Sequence, residues 1–381
     1  SVVIDTRLLN HVELDSSGRT VSVGGGAALG EVYFEVGKKD LAIPAGSCPP
    51  VGASGHTLGG GYGLFSRPFG LACDSLISAE TVDANGNVLS CSETENPDLF
   101  WALRGGGGGS FGVVTNYKFR TQAVKQATVF GLTWVLPPKR AAAALKGWLQ
   151  WIQSAPEQIT SICRVTTDSV GNVTVHPAGI SVGAESQLRT ELAKISGEKP
   201  QKMNLAAKTF LGAVTYFAGG PKQPWSTNEK GNTFYSYEQV FMKGKSDYLY
   251  QPMSEDGMLA LFEGQRRHPD ITTIFDGYGG KIGTVQPEAT AFAHRKALAS
   301  VQYVSQFNAA VAASRLSSLK EFHDGLRAYF SGHAYVNYPD LDLGERYGEA
   351  YWGENFARLK KIKAAFDPEN IFRHAQSVPS G

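Results

Sequence analysis

The chain is 381 residues long, 42% hydrophobic and 19% charged, the balance of a globular protein with too much chain for one compact core. Its 36 basic and 35 acidic side chains leave a net charge of +1, which argues against a nucleic-acid or anionic-membrane surface. No apolar stretch approaches the length of a membrane span, and the four cysteines have neither metal-type spacing nor the density of a disulfide framework.

In chain order, Val2-Val3-Ile4-Asp5 already reads as a strand with no leader before it, which suggests further sequence upstream. Thr20 to Val23 alternates as a strand, and Ala28 to Gly37 reads as an amphipathic helix. Gly46 to Gly63 follows as GSCPPVGASGHTLGGGYG, holding seven glycines together with Cys48, His56 and Tyr62. Glycine at that density lets backbone pass close to a flat or phosphorylated ligand, because no Cβ intervenes and positive φ is allowed. Ser75 to Val82 and Val88 to Ser92 form a hairpin across an Asn85-Gly86 turn. Asn96 is placed to cap a short helix with Pro97 at its first position and its end at Arg104. Five glycines, Gly105 to Gly109, lead into a strand over Phe111–Arg120, with Val113, Thr115, Tyr117 and Phe119 on one face.

After Thr121 the texture changes. Arg140 to Gln153 reads as a helix with Leu145, Trp148, Leu149 and Ile152 on one side. Ile159–Thr167 and Val173–Val182 read as a hairpin, with strands following at Thr272–Gly279 and Ala299–Phe307. Helices are expected near 184–195, 205–217, 253–264 and 308–330. The pattern predicts an α+β protein in three parts: a first unit over 1–122, a second domain with an antiparallel sheet over 123–330, and a segment over 331–381 that returns to the first. That last segment holds an extended tyrosine-rich piece and a helix from Trp352 to Phe366, stopped by Asp367-Pro368. Lys360, Lys361 and Lys363 read as a solvated helix face, and Cys73, Cys91 and Cys163 as buried free thiols. Asn172-Val173-Thr174 is a possible glycosylation acceptor.

Four segments, GSCPPVGASGHTLGGGYG, DLFWALRGGGGGSFGVVTNYKFRT, AYVNYPDLDL and YWGENFARLKKIKAAFDPENIFRHAQSVP, together resemble the berberine-bridge-enzyme-like flavin oxidases, over nearly the whole chain and in the family's order. The resemblance implies a vanillyl-alcohol-oxidase-type FAD fold, with an α+β substrate domain over the flavin ring. It implies a covalent bond from Cys48 to flavin C6, a hydrogen bond from His56 near flavin N1, and cofactor contacts from Gly52, Ser54, Gly55, Gly59, Gly63, Val114, Asn337 and Asn355. Val51 matches a position that governs oxygen access, where valine goes with oxidases. Tyr338 or Tyr335 matches the proton-abstracting tyrosine, with Gln302 and Tyr62 beside it. Strand alternation would put Tyr335 and Asn337 on one face and Tyr338 on the other. A phenol near pKa 10 needs a cation or hydrogen bonds to act as base at neutral pH, with Arg164 and Arg295 as candidates. The aromatics Trp134, Tyr216, Phe217, Tyr235, Tyr237, Tyr248 and Tyr250 could line the substrate cleft.

The family's FAD domain opens with an Arg-Ser-Gly-Gly-His segment that cradles the pyrophosphate and supplies a second, histidine tether. Nothing like it occurs here, so that tether is expected upstream, the alternative being loss of half the pyrophosphate site. The leading expectation is an FAD-dependent oxidase acting on an alcohol of a carbohydrate or secondary metabolite, with oxygen as electron acceptor and hydrogen peroxide as product. The rival is a flavin-free remnant of the fold with a binding or structural role. The expected partners are a small-molecule substrate and oxygen, with no nucleic acid, membrane or metal; oligomeric state stays open, and secretion is slightly favoured over the cytoplasm.

Overall fold

The computed structural model describes residues 2–219, 226–227, 233–234 and 241–380. Strands β1 (Val12–Leu14), β2 (Thr20–Gly24), β3 (Leu76–Val82), β4 (Val88–Ser92) and β5 (Val113–Arg120) make an antiparallel sheet in the order β1-β2-β5-β3-β4. Alternation buries Val21, Val23, Tyr117 and Phe119 on one of its faces, within the same core as Val32, Tyr33 and Val36 of helix α1 (Leu29–Gly37). The α1 terminus is closed by Glu31, whose carboxylate accepts the Ala28 N–H at 2.8 Å. Tyr33 reaches from α1 to donate to the Gly46 carbonyl at 2.5 Å, pinning the start of the glycine-rich loop.

A second antiparallel sheet spans β6 (Ala127–Leu136), β7 (Ile159–Thr167), β8 (Val173–Ser181), β9 (Lys202–Lys208), β10 (Phe241–Leu249), β11 (Ile271–Gly277) and β12 (Ala299–Phe307). Its order is β9-β6-β8-β7-β11-β12-β10. One face is apolar: Cys163, Val165, Val175, Phe275, Val301 and Tyr303 pack with Leu145, Trp148 and Leu149 of helix α3 (Pro138–Ser154), which follows a short loop helix α2 (Ala53–Leu58) in the chain. Leu261 of α4 (Glu255–Arg267) and Phe322 of α5 (Ala312–Asp324) complete that layer. The opposite face carries Arg164, His176, Ile274, Asp276 and Gln302, and it looks toward the glycine-rich loop.

The two sheets are joined by a buried cation. Arg67 is 1% exposed and donates through Nε to Ile159 O at 2.7 Å, through Nη2 to Ala155 O at 2.6 Å, and through Nη1 to Tyr278 O. Three carbonyls from the second sheet's surroundings therefore stand in for the carboxylate that a buried guanidinium ordinarily requires. The C-terminal segment returns to the first core: Trp352 donates to Gly105 O at 3.2 Å, and Leu359 and Val378 are fully buried there.

Several local expectations change. Val2 to Asp5 forms no strand; it is exposed backbone ahead of an exposed Asp5–Arg7 ion pair. The helix expected over 205–217 is strand β9 followed by a helix over Phe210–Phe217, divided where Thr209 accepts the Gly212 N–H at 3.1 Å. Asn96 is no side-chain cap: its backbone is left-handed, φ 45°, and its amide donates to Ser90 O at 2.8 Å, while the helix ends at Ala102 rather than Arg104. Within 308–330, only α5 is α-helical, flanked by short 3-10 turns. Lys363 is not solvated. It lies fully buried in helix α6 (Phe356–Phe366), paired with Asp367 and donating to Ser110 O and Phe372 O, each at 2.7 Å. Cys73, Cys91 and Cys163 are buried free thiols, and Asn172 stands exposed at the β7–β8 turn. Among the described residues no helix is long and apolar enough to cross a membrane.

Candidate active site

The glycine-rich loop separates into two groups of glycines with different physical demands. A Cβ on Gly59 would fall 2.0 Å from Asn337 Oδ1, one on Gly60 2.6 Å from the Phe292 ring, and one on Gly63 1.8 Å from Ala45 O. These positions are bare because other parts of the chain press against them. Gly52 and Gly55 are exposed, with nothing within 4 Å of where a Cβ would stand. They form an open floor beside Cys48, whose thiol is also exposed and Val51 next to it is 38% exposed. Ser54 turns away from this floor, sharing a 2.6 Å hydrogen bond with Tyr117 of β5. Val114 is buried in β5.

His56 is wedged between Gly46 and Gly61, and its Nε2 accepts the Gly46 N–H at 2.9 Å. The proton of the neutral ring therefore sits on Nδ1. Burial holds its pKa down at about 4, so the ring is uncharged at neutral pH. His56 can offer one neutral N–H donor to a ligand, not a cation.

Residues 335–338 form a tight turn rather than an extended strand, closed by Tyr338 N donating to Tyr335 O at 2.9 Å. The turn brings Tyr335, Asn337 and Tyr338 together instead of parting them across two faces. Tyr335 Oη accepts three hydrogen bonds: from Gly61 N at 3.0 Å, Tyr62 N at 3.3 Å and Asn337 Nδ2 at 2.8 Å. Asn337 also donates to His56 O at 2.9 Å, which ties the turn to the loop. Burial outweighs the three donors and pushes the Tyr335 hydroxyl up to about 12. The Tyr338 ring meets Tyr335 edge-on at 5.0 Å, and its hydroxyl makes no hydrogen bond among the described residues. Burial raises the Tyr338 pKa well above the ordinary value, reinforced by the negative charge of Asp276 and, less, by the neighbouring Tyr335. Tyr62 donates to Gly277 O at 3.1 Å and stacks on Tyr278 at 5.1 Å.

Asp276 is the functional candidate that the motifs did not reveal. It is the next-to-last residue of β11, is 8% exposed, and has no hydrogen bond among the described residues. Burial raises its carboxyl to about 7, with Arg164 opposing. In register with it, Ser300 has a buried hydroxyl without a partner. A carboxyl poised near neutrality inside a cleft is suited to accept a proton at physiological pH. The one sequence signal was an acid near the end of the strand-like, uncharged run ITTIF.

The remaining predicted residues fall in different places. Gln302 is half-buried on the open sheet face, in register with Ser246, whose hydroxyl accepts the Tyr335 N–H at 2.9 Å. Asn355 is buried, and its amide donates to Pro287 O at 2.8 Å and Thr290 O at 3.1 Å, so its donor is spent on that loop. Arg295 is not the cation beside a tyrosine: it is fully buried and forms a bidentate pair with Asp74. Arg164 does lie at the site, near enough to act on both Cys48 and Asp276. Trp134 does not line a cleft; it packs among the helices and donates to Glu198 O at 2.8 Å. Tyr248 is fully buried and stacks on His294, Tyr250 bonds His294, and Tyr216 is exposed on its helix. Tyr235 and Tyr237 lie outside the described residues.

Comparison with known proteins places this geometry. Residues 1–92 match the family model "FAD binding domain" and residues 334–379 match "Berberine and berberine like". Berberine bridge enzyme-like 1 of Arabidopsis thaliana is 33% identical over 99% of this chain and 75% of its own length. The FAD-linked oxidoreductase YvdP of Bacillus subtilis is 32% identical over 99% of this chain and 82% of its own. Berberine bridge enzyme from Eschscholzia californica superposes with a TM-score of 0.88 at 28% identity, covering 98% of this chain and 79% of that one. The residues present fit a flavin: the open floor of Gly52 and Gly55 would admit a flat ring, with the accessible Cys48 thiol at its edge and the partnerless Ser300 hydroxyl facing the site. The fold, the two family matches and the relatives that align over nearly the whole of this chain agree, and the chain belongs to the berberine bridge enzyme-like family of FAD-linked oxidoreductases.

Proposed function

We propose that this chain is an oxidase that removes a hydride from the hydroxyl-bearing carbon of a polar, carbohydrate-like substrate and passes the electrons to oxygen, yielding hydrogen peroxide. The observation that carries the reading is the Tyr338 hydroxyl, which has no hydrogen-bond partner among the described residues and lies within the electrostatic reach of Asp276. Tyr338 takes the proton of the substrate hydroxyl while its own proton passes to Asp276, whose carboxyl near 7 can accept it. Bound FAD supplies the hydride acceptor and the centre that oxygen reoxidises. Cys48 supplies the sulfur for a covalent tether, and Val51, with its small exposed side chain, leaves room for oxygen at the ring. Tyr335, bolted to the loop, holds Tyr62 and Tyr338 in place.

The open face of the second sheet offers hydroxyl and amide groups to a hydroxyl-rich substrate. Thr166, Thr174, Thr272 and Gln302 stand on it, while the large aromatic Trp134 faces the helices instead. The test is anaerobic mixing of the flavin-loaded protein with oligosaccharides and with aromatic alcohols. Bleaching of the flavin by a sugar, followed by one peroxide per turnover in air, is expected. Failure of every hydroxyl substrate to bleach the flavin would overturn the reading. Cys48→Ala should abolish or weaken the flavin fluorescence that stays with the polypeptide on a denaturing gel, and unchanged fluorescence would remove Cys48 as a tether.

A further inference from the structure

Three adjacent strands of the second sheet set Asp276 of β11, Ser300 of β12 and Tyr248 of β10 directly side by side. Neighbouring strands lie about 4.8 Å apart, so the row spans about 10 Å from the carboxyl's strand to the tyrosine's. All three residues are buried. Tyr278, just past the end of β11 and equally buried, meets Tyr248 edge-on with the ring centroids 5.8 Å apart.

None of the four has its hydrogen bonds filled. The hydroxyls of Ser300, Tyr248 and Tyr278 have no partner among the described residues, and neither has the Asp276 carboxyl. Tyr248 and Tyr278 act on each other's ionisation and both feel Asp276, yet no well-formed hydrogen bond joins them. Their neighbour His294 cannot help. Its ring stacks on Tyr248 at 4.3 Å, and its two nitrogens are spent on Tyr250 Oη at 3.0 Å and Tyr351 O at 2.9 Å. Buried polar groups ordinarily find a protein or water partner. Four such groups in one place form the polar lining that internal water requires, each water taking two to four partners. Beyond them, Tyr278 and the exposed Tyr250 line a cavity of about 210 Å³ whose walls include the exposed Gln153 and Lys296.

We propose that Asp276, Ser300, Tyr248 and Tyr278 hold a row of ordered waters that carries the proton received by Asp276 to this cavity and out to solvent. Each hydroxyl or water accepts one proton and releases another, so no group between Asp276 and the cavity changes its charge. One proton leaves for each substrate oxidised, and Asp276 is freed for the next turnover without opening the substrate side. The inference rests on the oxidase reading above for the proton, but not for the waters.

Two measurements test it. A crystal structure of the flavin-loaded protein that places solvent should show water within about 3.2 Å of Tyr248 Oη, Tyr278 Oη and Ser300 Oγ. A dry row, or those hydroxyls bonded to the flavin or to protein groups instead, overturns the proposal. In anaerobic stopped flow, the protein is mixed with cellobiose, or with whichever alcohol of the test above bleaches the flavin, in weak buffer containing a pH-indicator dye. At about pH 8, above the Asp276 titration, bleaching and proton release should coincide in the wild type. Tyr248→Phe and Tyr278→Phe should each slow proton release to about a tenth of the bleaching rate or less, a lag that lost stability alone does not produce. Proton release that keeps pace with bleaching in both variants and in the double variant overturns the relay and leaves the oxidase reading in place. Ordered water in the row with no bleaching by any hydroxyl substrate does the opposite: the hydrated site stands and the oxidase reading falls.

Discussion

Tyr335 and Tyr338 lie three residues apart, yet their hydroxyls meet opposite surroundings. The Tyr335 oxygen is saturated by two backbone N–H groups and an amide, so its loss strands buried donors, each at a cost of about 1–3 kcal/mol. The Tyr338 hydroxyl has no such partner to lose. Tyr335→Phe should therefore lower the melting temperature and loosen flavin binding while flavin reduction survives. Tyr338→Phe should melt near the wild type and reduce its flavin about a hundred- to ten-thousand-fold more slowly. Thermal denaturation and anaerobic stopped flow on both variants check this, and a reversal of the two phenotypes would exchange their roles. The motif in the sequence narrowed the candidate base to this pair but could not choose between them. Strand alternation was the wrong instrument, because a turn ending ahead of Pro339 gathers the side chains that a strand would have separated.

Helix α6 shows how an element can be found while its working residue is missed. Its stop at Asp367-Pro368 was legible from proline chemistry, but not its start. The helix expected from Trp352 begins at Phe356, because Trp352 closes the preceding helix and Gly353, at φ 48°, breaks the path between them. Lys363 looked like one of three surface lysines, and only the packed structure shows it fully buried, bridging Asp367 and the carbonyls of Ser110 and Phe372. Asp367 in turn accepts the N–H groups of Ile371 at 2.8 Å and Phe372 at 2.9 Å, so this pair sets the path of the C-terminal segment. Lys363→Met leaves a buried carboxylate without its cation and should cost about 3–5 kcal/mol. The double variant Lys363→Met/Asp367→Asn should recover part of that loss in urea denaturation. A single variant as stable as the wild type would show that the pair is dispensable. In the glycine loop the reverse held: the residues were conspicuous, but only Gly52 and Gly55 are left open to a ligand. The bareness of Gly59, Gly60 and Gly63 answers to Asn337, Phe292 and Ala45, long-range neighbours that no local pattern encodes.

At the scale of the molecule, the site exists only where three separate stretches meet: the loop over 46–63, strand β11, and the turn over 335–338. Arg67 sits at that junction, holding Tyr278 O one residue beyond the carbonyl that receives the Tyr62 hydroxyl. Each stretch was visible in the sequence, but their convergence was not, which is why Asp276 and Arg67 escaped notice. The central claim is that Asp276, delivered by the second sheet, receives the proton that Tyr338 takes from the substrate. The rate of anaerobic flavin reduction as a function of pH tests it most directly. Because burial raises Asp276 to about 7, its accepting, ionised form is lost as pH falls. The wild-type rate should therefore climb about tenfold per pH unit below that value and level off above it. Asp276→Asn should be slow and lack this inflection; an Asp276→Asn enzyme with the same rate and the same inflection would contradict the account.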